Sequence, residues 1–222
     1  MPPELLRKFL YARASESVFK DYLKHPLPNP GQTVLESEFL ALDFETTGLK
    51  PKSDRILSMG YTVIKNGRVC LNENGYFLVN PKTELNNENV SIHKITDDEA
   101  EQGLSLTQAL TLLLEKMRGR FVIAHHAPIE TGFLNAACRN VFKHNLPMRV
   151  IDTLKIEQKR LQHRQQLLDA NQLRLFNIRS SYNLPRYRAH NALEDAIATA
   201  ELFLAMVSYR DELSKCKVKE FL

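Results

Sequence analysis

Apolar residues recur along the chain with two periods, and the changes between them mark out its elements. From Glu4 to about Lys24, Leu5, Phe9, Val18, Phe19 and Leu23 fall at spacings that suit one or two amphipathic helices, whose apolar face needs a partner. The segment His25-Pro26-Leu27-Pro28-Asn29-Pro30-Gly31 then interrupts regular structure, because each proline lacks an N–H and restricts the residue before it. It reads as a linker. Phe39 to Asp43 is a buried strand ending in an acid, followed by a turn at Thr46-Thr47-Gly48. Ile56 to Ile64 and Arg68 to Phe77 flank Asn66-Gly67, a two-residue hairpin signal because both turn positions need positive φ.

The pattern then alternates. A helix from about Ser105 to Met117, a strand Phe121–Ala124, a helix from about Thr131 to Val141 and a strand through Val150-Ile151 follow one another. A basic helical stretch from Lys155 to about Leu168 and a last helix from Ala192 to about Val207 complete the chain. A three-strand meander followed by alternating helices and strands implies an α/β fold, a mixed sheet covered by helices. The expected division is a helical extension with its Pro-rich linker over 1–32, a main domain over 33–210 and a short tail over 211–222. No internal repeat breaks this reading.

Composition narrows the class. With 222 residues, 43% hydrophobic and 25% charged, the chain suits one well-packed domain with an appendage and excludes disordered or collagen-like architectures. A net charge of +4 is too mild to select a partner by itself. Three widely spaced cysteines, an odd number, argue against a disulfide framework or a zinc site and point to a reducing cytoplasmic setting. The acid at Glu4 and the shortness of the apolar run around Leu112-Leu113-Leu114 point away from export or a membrane span.

Three short segments carry candidate chemistry. Asp43 and Glu45, two residues apart at the end of a strand, point to the same side of the sheet. Two acids there repel unless a cation neutralises them, and hard oxygen ligands select Mg²⁺ or Mn²⁺. An isolated pair of this kind is more often a solvated loop, so context decides. Ala124-His125-His126-Ala127-Pro128-Ile129-Glu130 is a strand end, a loop and an acid at a helix start, where the helix dipole stabilises a carboxylate whatever its function. In His190-Asn191-Ala192-Leu193-Glu194-Asp195, Asn191 and Glu194 have capping-box spacing. That puts Asp195 in a first helical turn and leaves His190 on a loop. A histidine with an unperturbed pKa of about 6.5 suits a general base, while Glu194 has a structural task.

Taken in order, these segments resemble the three exonuclease motifs of the DEDDh 3′–5′ exonuclease superfamily, which includes the proofreading epsilon subunit of bacterial DNA polymerase III, RNase T and oligoribonuclease. The resemblance spans about Phe39 to Val207. Leu40-Ala41-Leu42-Asp43-Phe44-Glu45-Thr46-Thr47-Gly48-Leu49 matches the first motif closely, and His190 with Asp195 has the H-x4-D spacing of the third. The related DEDDy class places a tyrosine where this chain has Asn191, so His190 indicates the h-type. The second motif departs from the common A-H-N-A-x-F-D, because Glu130 stands where the fourth aspartate is usual and His126 where asparagine is. The extra methylene matters to Mg²⁺, which holds near-octahedral oxygens at about 2.0–2.1 Å.

The resemblance implies an RNase H-like fold, a five-stranded mixed sheet flanked by helices. It implies two Mg²⁺ (or Mn²⁺) ions held by Asp43, Glu45, Glu130 and Asp195, with Asp43 bridging them and Glu45 and Asp195 completing one site. His190 would take the proton of the attacking water, and the product would be a nucleoside 5′-monophosphate. Phe44, Thr46, Thr47, Leu49 and His126 become candidates for contacts to the terminal nucleotide. For Leu49 ordinary packing is an equal alternative, and for His93 it is the better one.

Between Lys155 and Arg188 there are eight Lys/Arg against two acids, with Phe176, Tyr182 and Tyr187 interleaved, a composition equally suited to nucleic-acid contact or to a solvated helix and loop. The expected partner is a nucleic acid with a free 3′ end, as single-stranded DNA or a short oligonucleotide, dinucleotides included. An RNA-trimming exoribonuclease is an alternative. So is a non-catalytic nucleic-acid-binding module that lost activity through Glu130, which retention of Asp43, Glu45, His190 and Asp195 disfavours. The short tail after Asp211 does not suggest the polymerase-binding segment of a replicative epsilon subunit, and nothing decides between one copy and a homodimer.

Overall fold

The computed structural model describes residues 1–82, 95–163, 165, 169–187 and 191–222. Strands β1 (Phe39–Thr46), β2 (Ile56–Lys65) and β3 (Arg68–Leu78) form the antiparallel meander. Asn66 and Gly67 turn the hairpin at φ 50° and 69°, the positive values a tight two-residue connection needs. Two further strands, β4 (Phe121–Ala124) and β5 (Val150–Asp152), add in parallel on the other side of β1, giving the order β3-β2-β1-β4-β5. This is the expected five-stranded mixed sheet.

Alternation along β1 builds two cores. Leu40, Leu42 and Phe44 face one hydrophobic cluster, and Phe39 and Ala41 the other. Four helices supply the first: α1 (Pro3–Tyr11), α2 (Val18–Lys24), α4 (Leu106–Met117) and α5 (Pro128–Phe142), with the short α3 (Asp97–Glu101) preceding α4. Helix α4 starts where a capping box of Ser105 and Gln108 fixes it. The second face is covered by α8 (Ala192–Ser208), against which α6 (Thr153–His163) and α7 (Leu175–Ser181) pack in a third cluster.

The terminal segments share these cores. Leu10, Phe19, Tyr22 and Leu23 sit in the same cluster as Leu40 and Leu42, Phe19 stacks on Phe142 at 5.2 Å, and the Tyr22 hydroxyl donates to Pro147 O at 2.8 Å. Full burial of a side chain such as Leu23 contributes about 1.5–3 kcal/mol. Leu5 and Phe9 do not join it: they are 56% and 46% exposed, because α1 turns Arg7 and Leu10 inward and Arg7 donates to Leu23 O. The Pro-rich segment is tied down through its acceptors. Pro30 O and Gln32 O take the N–H groups of Lys219 and Val218, while Val34 N–H donates to Cys216 O. Cys216, Val218 and Phe221 complete the second core.

Three boundaries differ from the sequence expectation, the first being β1, which continues past Asp43 to Thr46 because it stays paired with β2 as far as Ile56. Helix α5 begins at Pro128 rather than Thr131, since a proline in the first turn loses no intrahelical hydrogen bond. The basic helix begins at Thr153 rather than Lys155, and Leu168, its expected end, lies outside the described residues. Helices α3 and α7 were not expected, having only five and seven residues in which to show a period.

One contact sets the distance between sheet and α8. Gly60 of β2 pairs with Asp43, and a Cβ there would lie 2.1 Å from the carbonyl carbon of Ala192 and 2.3 Å from Leu193 N. The first turn of α8 therefore rests directly on strand backbone. Gly60→Ala is expected to cost about 1–3 kcal/mol in urea unfolding through overpacking, and to displace the N-terminus of α8. Unchanged stability would show that α8 yields freely at this point.

Candidate active site

The three acidic segments meet on the α8 side of the sheet. Asp43 and Glu45 project from the end of β1, and Asp195 enters from the first turn of α8, where Asn191 Oδ1 accepts from the N–H groups of Leu193 and Glu194 at 3.1 Å each. One carboxylate oxygen from each of Asp43, Glu45 and Asp195 lies within 4.8 Å of the others. Like charges this close disfavour ionisation unless a proton or a cation intervenes. Burial, followed by the charges of Glu130, Asp195 and Glu45, holds the Asp43 carboxyl well above the ordinary aspartate range.

Glu130 completes the set from the first turn of α5. It lies outside the 4.8 Å triad, yet among the neighbouring charges it weighs most on Asp43. Only 4% of Glu130 is exposed, and burial pushes its pKa up to about 8. A hydrogen bond from its own N–H opposes the shift and the charge of Asp152 adds to it. Its Oε2 is buried with no hydrogen-bond partner among the described residues. A carboxylate-only donor set with one buried oxygen unanswered fits a hard divalent cation better than a soft metal.

Asp152, at the end of β5, was not singled out by sequence. It is 7% exposed, and its Oδ1 accepts from His126 N–H at 3.1 Å, Leu154 N–H at 3.1 Å and Lys155 N–H at 3.4 Å. One carboxylate thus caps α6 and pins the β4–α5 turn that presents Glu130. The available signal was an Asp-Thr pair directly after Val150-Ile151, the N-cap chemistry of a strand-to-helix junction. The same turn holds His126 at φ 69°, a left-handed conformation. His125 faces away, with Nδ1 2.9 Å from Thr153 Oγ1 and Nε2 3.0 Å from Leu173 O. A carbonyl only accepts, so Nε2 carries the proton, and burial lowers the pKa to about 4, keeping the ring neutral.

The expected substrate contacts divide. Phe44 is 6% exposed with its ring in the first core, facing away from the acids, so its backbone alone is presented to the site. Thr46 Oγ1 donates to Gly48 O at 2.7 Å and Thr47 Oγ1 accepts from Arg55 N–H at 2.9 Å, bonds that hold the turn after β1. Leu49 is 73% exposed, which leaves no room for the packing alternative. His126 is exposed on its turn. His190 and His93 lie outside the described residues.

Within the basic stretch, two residues belong to the core instead of a phosphate surface. Arg179 is 1% exposed and donates to Ala198 O at 2.6 Å, Pro185 O at 2.9 Å and Glu201 Oε2 at 2.8 Å, beneath the Tyr187 ring at 4.7 Å. Tyr182 is buried with its hydroxyl on Glu157, which also pairs with Arg160.

This sheet defines an RNase H-like fold that carries a carboxylate centre suited to divalent cations. Residues 40–203 match the model of the RNase T exonuclease family, and the chain belongs to that family. It is 29% identical over 182 residues to the PolC-type DNA polymerase III of Thermotoga petrophila, a match covering 82% of this chain and 13% of that protein. The chain thus spans about an eighth of the PolC-type relatives it matches. With the DNA polymerase III subunit epsilon of Treponema pallidum it shares 29% identity over 171 residues, 77% of each chain. Among solved structures, the nuclease domain of 3′hExo, a DEDDh family member bound to rAMP, superimposes with a TM-score of 0.67 at 17% identity, covering 78% of this chain and 93% of that one. E. coli exonuclease I with an oligonucleotide gives 0.65 at 17% identity, covering 81% and 42%. Among the described residues, no helix is long and apolar enough to cross a membrane.

The raised carboxyls make stability depend on pH. Glu130 titrates near 4.5 when unfolded and near 8 when folded, so between these values the folded state binds more protons and loses stability as pH rises, levelling off above about 8. In EDTA, the thermal midpoint is expected to fall between pH 5 and pH 8.5. Glu130→Gln should remove a large part of that slope, Asp43 supplying the remainder, and Mg²⁺ should raise the wild-type midpoint more at pH 8.5 than at pH 6. A flat wild-type profile in EDTA would contradict the burial assigned to these acids.

Proposed function

We propose that this chain is a 3′–5′ exonuclease that releases nucleoside 5′-monophosphates from single-stranded DNA ends or short oligonucleotides, dinucleotides included, with two Mg²⁺ (or Mn²⁺) ions. The observation that supports the reading is the grouping of the Asp43, Glu45 and Asp195 carboxylates within 4.8 Å, with the charge of Glu130 acting on Asp43. The rAMP and oligonucleotide in the solved neighbours support a nucleic-acid substrate, and the polymerase context of the sequence relatives belongs to those proteins.

Divalent cations, when bound, supply charge neutralisation at the phosphate and acidify a water. The chain's residues do the remainder. Asp43, Glu45, Asp195 and Glu130 would hold the cations, with Asp43 shared between them. His190, next to the Asn191 cap, takes the proton of the attacking water as the new P–O bond forms and the bond to the 3′ oxygen breaks. Leu49 and His126, both exposed, would meet the terminal base and sugar. The rAMP-bound neighbour favours a second reading, an exoribonuclease using the same residues.

Purified protein assayed on end-labelled DNA and RNA from two to about thirty nucleotides long decides between these, mononucleotide release being the expected readout. Asp43→Ala should abolish hydrolysis while the fold persists, because it relieves repulsion; unchanged turnover would sink the two-metal reading. His190→Ala should bind metal normally and lose most turnover near neutral pH, with partial recovery at high pH where hydroxide replaces the base. Loss of metal affinity instead would make His190 a ligand. Glu130→Gln and Glu130→Asp should each weaken the Mg²⁺ dependence, the first through charge and the second through reach. Superimposable Mg²⁺ curves for all three proteins would remove Glu130 from the site.

A further inference from the structure

A cavity of about 390 Å³ opens between α5, β5 and α6. Pro128 and Thr131 form one wall, and they belong to the same helical turn that carries Glu130 into the acidic centre. Asp152 lines the cavity as well, its Oδ1 occupied by three N–H groups, including that of His126. The cavity and the carboxylate centre therefore lie on opposite sides of one turn of chain.

The other wall is cationic. Lys155 and Lys159 stand four residues apart on α6, and so on one face of it. Both are exposed, and neither takes part in an ion pair among the described residues. They differ in this from Arg160 and Arg179, whose charges are spent on Glu157 and Glu201. Ile156 and the Pro128 ring add apolar surface between the two walls. Two exposed lysines with no ion pair among the described residues, in a volume within the usual range of small-ligand sites that Asp152, Phe221 and Leu222 also line, match a nucleotide unit with its phosphates.

Resting on the nuclease reading above, we infer that this cavity is a subsite for the nucleotides upstream of the scissile bond, with Lys155 and Lys159 meeting backbone phosphates of the strand whose 3′ end occupies the acidic centre. It confers a preference for strand length, and with phosphates as its ligands it reads no base sequence.

Binding of a fluorescein-labelled, hydrolysis-resistant phosphorothioate dT8 in Mg²⁺ tests this by anisotropy between 50 and 200 mM NaCl. Lys155→Glu/Lys159→Glu is expected to weaken binding at least tenfold and to make the salt slope shallower by about 1.4, two phosphate contacts at about 0.7 each. Lys155→Arg/Lys159→Arg should retain wild-type binding, and the loss should be smaller for a dT3 analogue. Lys8→Glu/Lys24→Glu makes the same charge change on α1 and α2, which pack at the far end of α5, about 22 Å from Pro128. An equal loss in that control, an equal loss for dT3, or no loss for dT8 would overturn the subsite. Hydrolysis of p-nitrophenyl thymidine 5′-monophosphate, which has no upstream nucleotide, reports the nuclease reading separately. A wild type that binds dT8 through the lysines yet leaves the ester intact would reject catalysis and keep the strand contact.

Discussion

The site depends on how closely one helix can approach one strand. Asp195 is brought to Asp43 by the first turn of α8, and that turn sits on β2 at the residue paired with Asp43, where Gly60 leaves no side chain in the way. Any Cβ at that point would meet the backbone of Ala192 and Leu193, and backbone cannot swing aside as a flexible side chain can. The 4.8 Å grouping of Asp43, Glu45 and Asp195 is thus a consequence of steric permission at a residue that carries no chemistry.

Bringing the acids together opposes folding, and the structure concentrates rather than dilutes that opposition. Asp43 and Glu130 are both removed from water; the charge of Glu130 adds to the cost of ionising Asp43, and that of Asp152 to the cost of ionising Glu130. An interior optimised for stability alone would not leave the Glu130 Oε2 buried without a partner among the described residues. The opposing contribution comes from elsewhere: two cores on either face of the sheet, into which α1, α2 and the C-terminal Cys216, Val218 and Phe221 are drawn. Asp152 holds the geometry locally, through three backbone N–H groups that fix the turn before Glu130.

The charge distribution shows the same separation of tasks. Arg160 neutralises Glu157 within α6, and Arg179 neutralises Glu201 and ties α7 to α8. Lys155 and Lys159 have no such partner among the described residues and line the cavity behind the Glu130 turn. Cations of equal formal charge serve the core in one case and face solvent beside the active centre in the other.

The sequence by itself determined most of the elements and the acids that meet in the site. The buried run from Phe39, the Asn66-Gly67 turn, the helix start at Ser105 and the cap at Asn191 are local signals, and each lies where its residues placed it. The four acids were legible because their types and order are written in three contiguous segments. What only the tertiary structure decided involves partners distant along the chain. Asp152 reaches His126 across 26 residues, Tyr22 reaches Pro147 across 125, and Gly60 meets Ala192. Arg179, read in sequence as part of a basic stretch, became a buried tie to Glu201. Leu5 and Phe9 kept a helical period yet stayed outside the core, because periodicity fixes which face is apolar and packing fixes which face is covered.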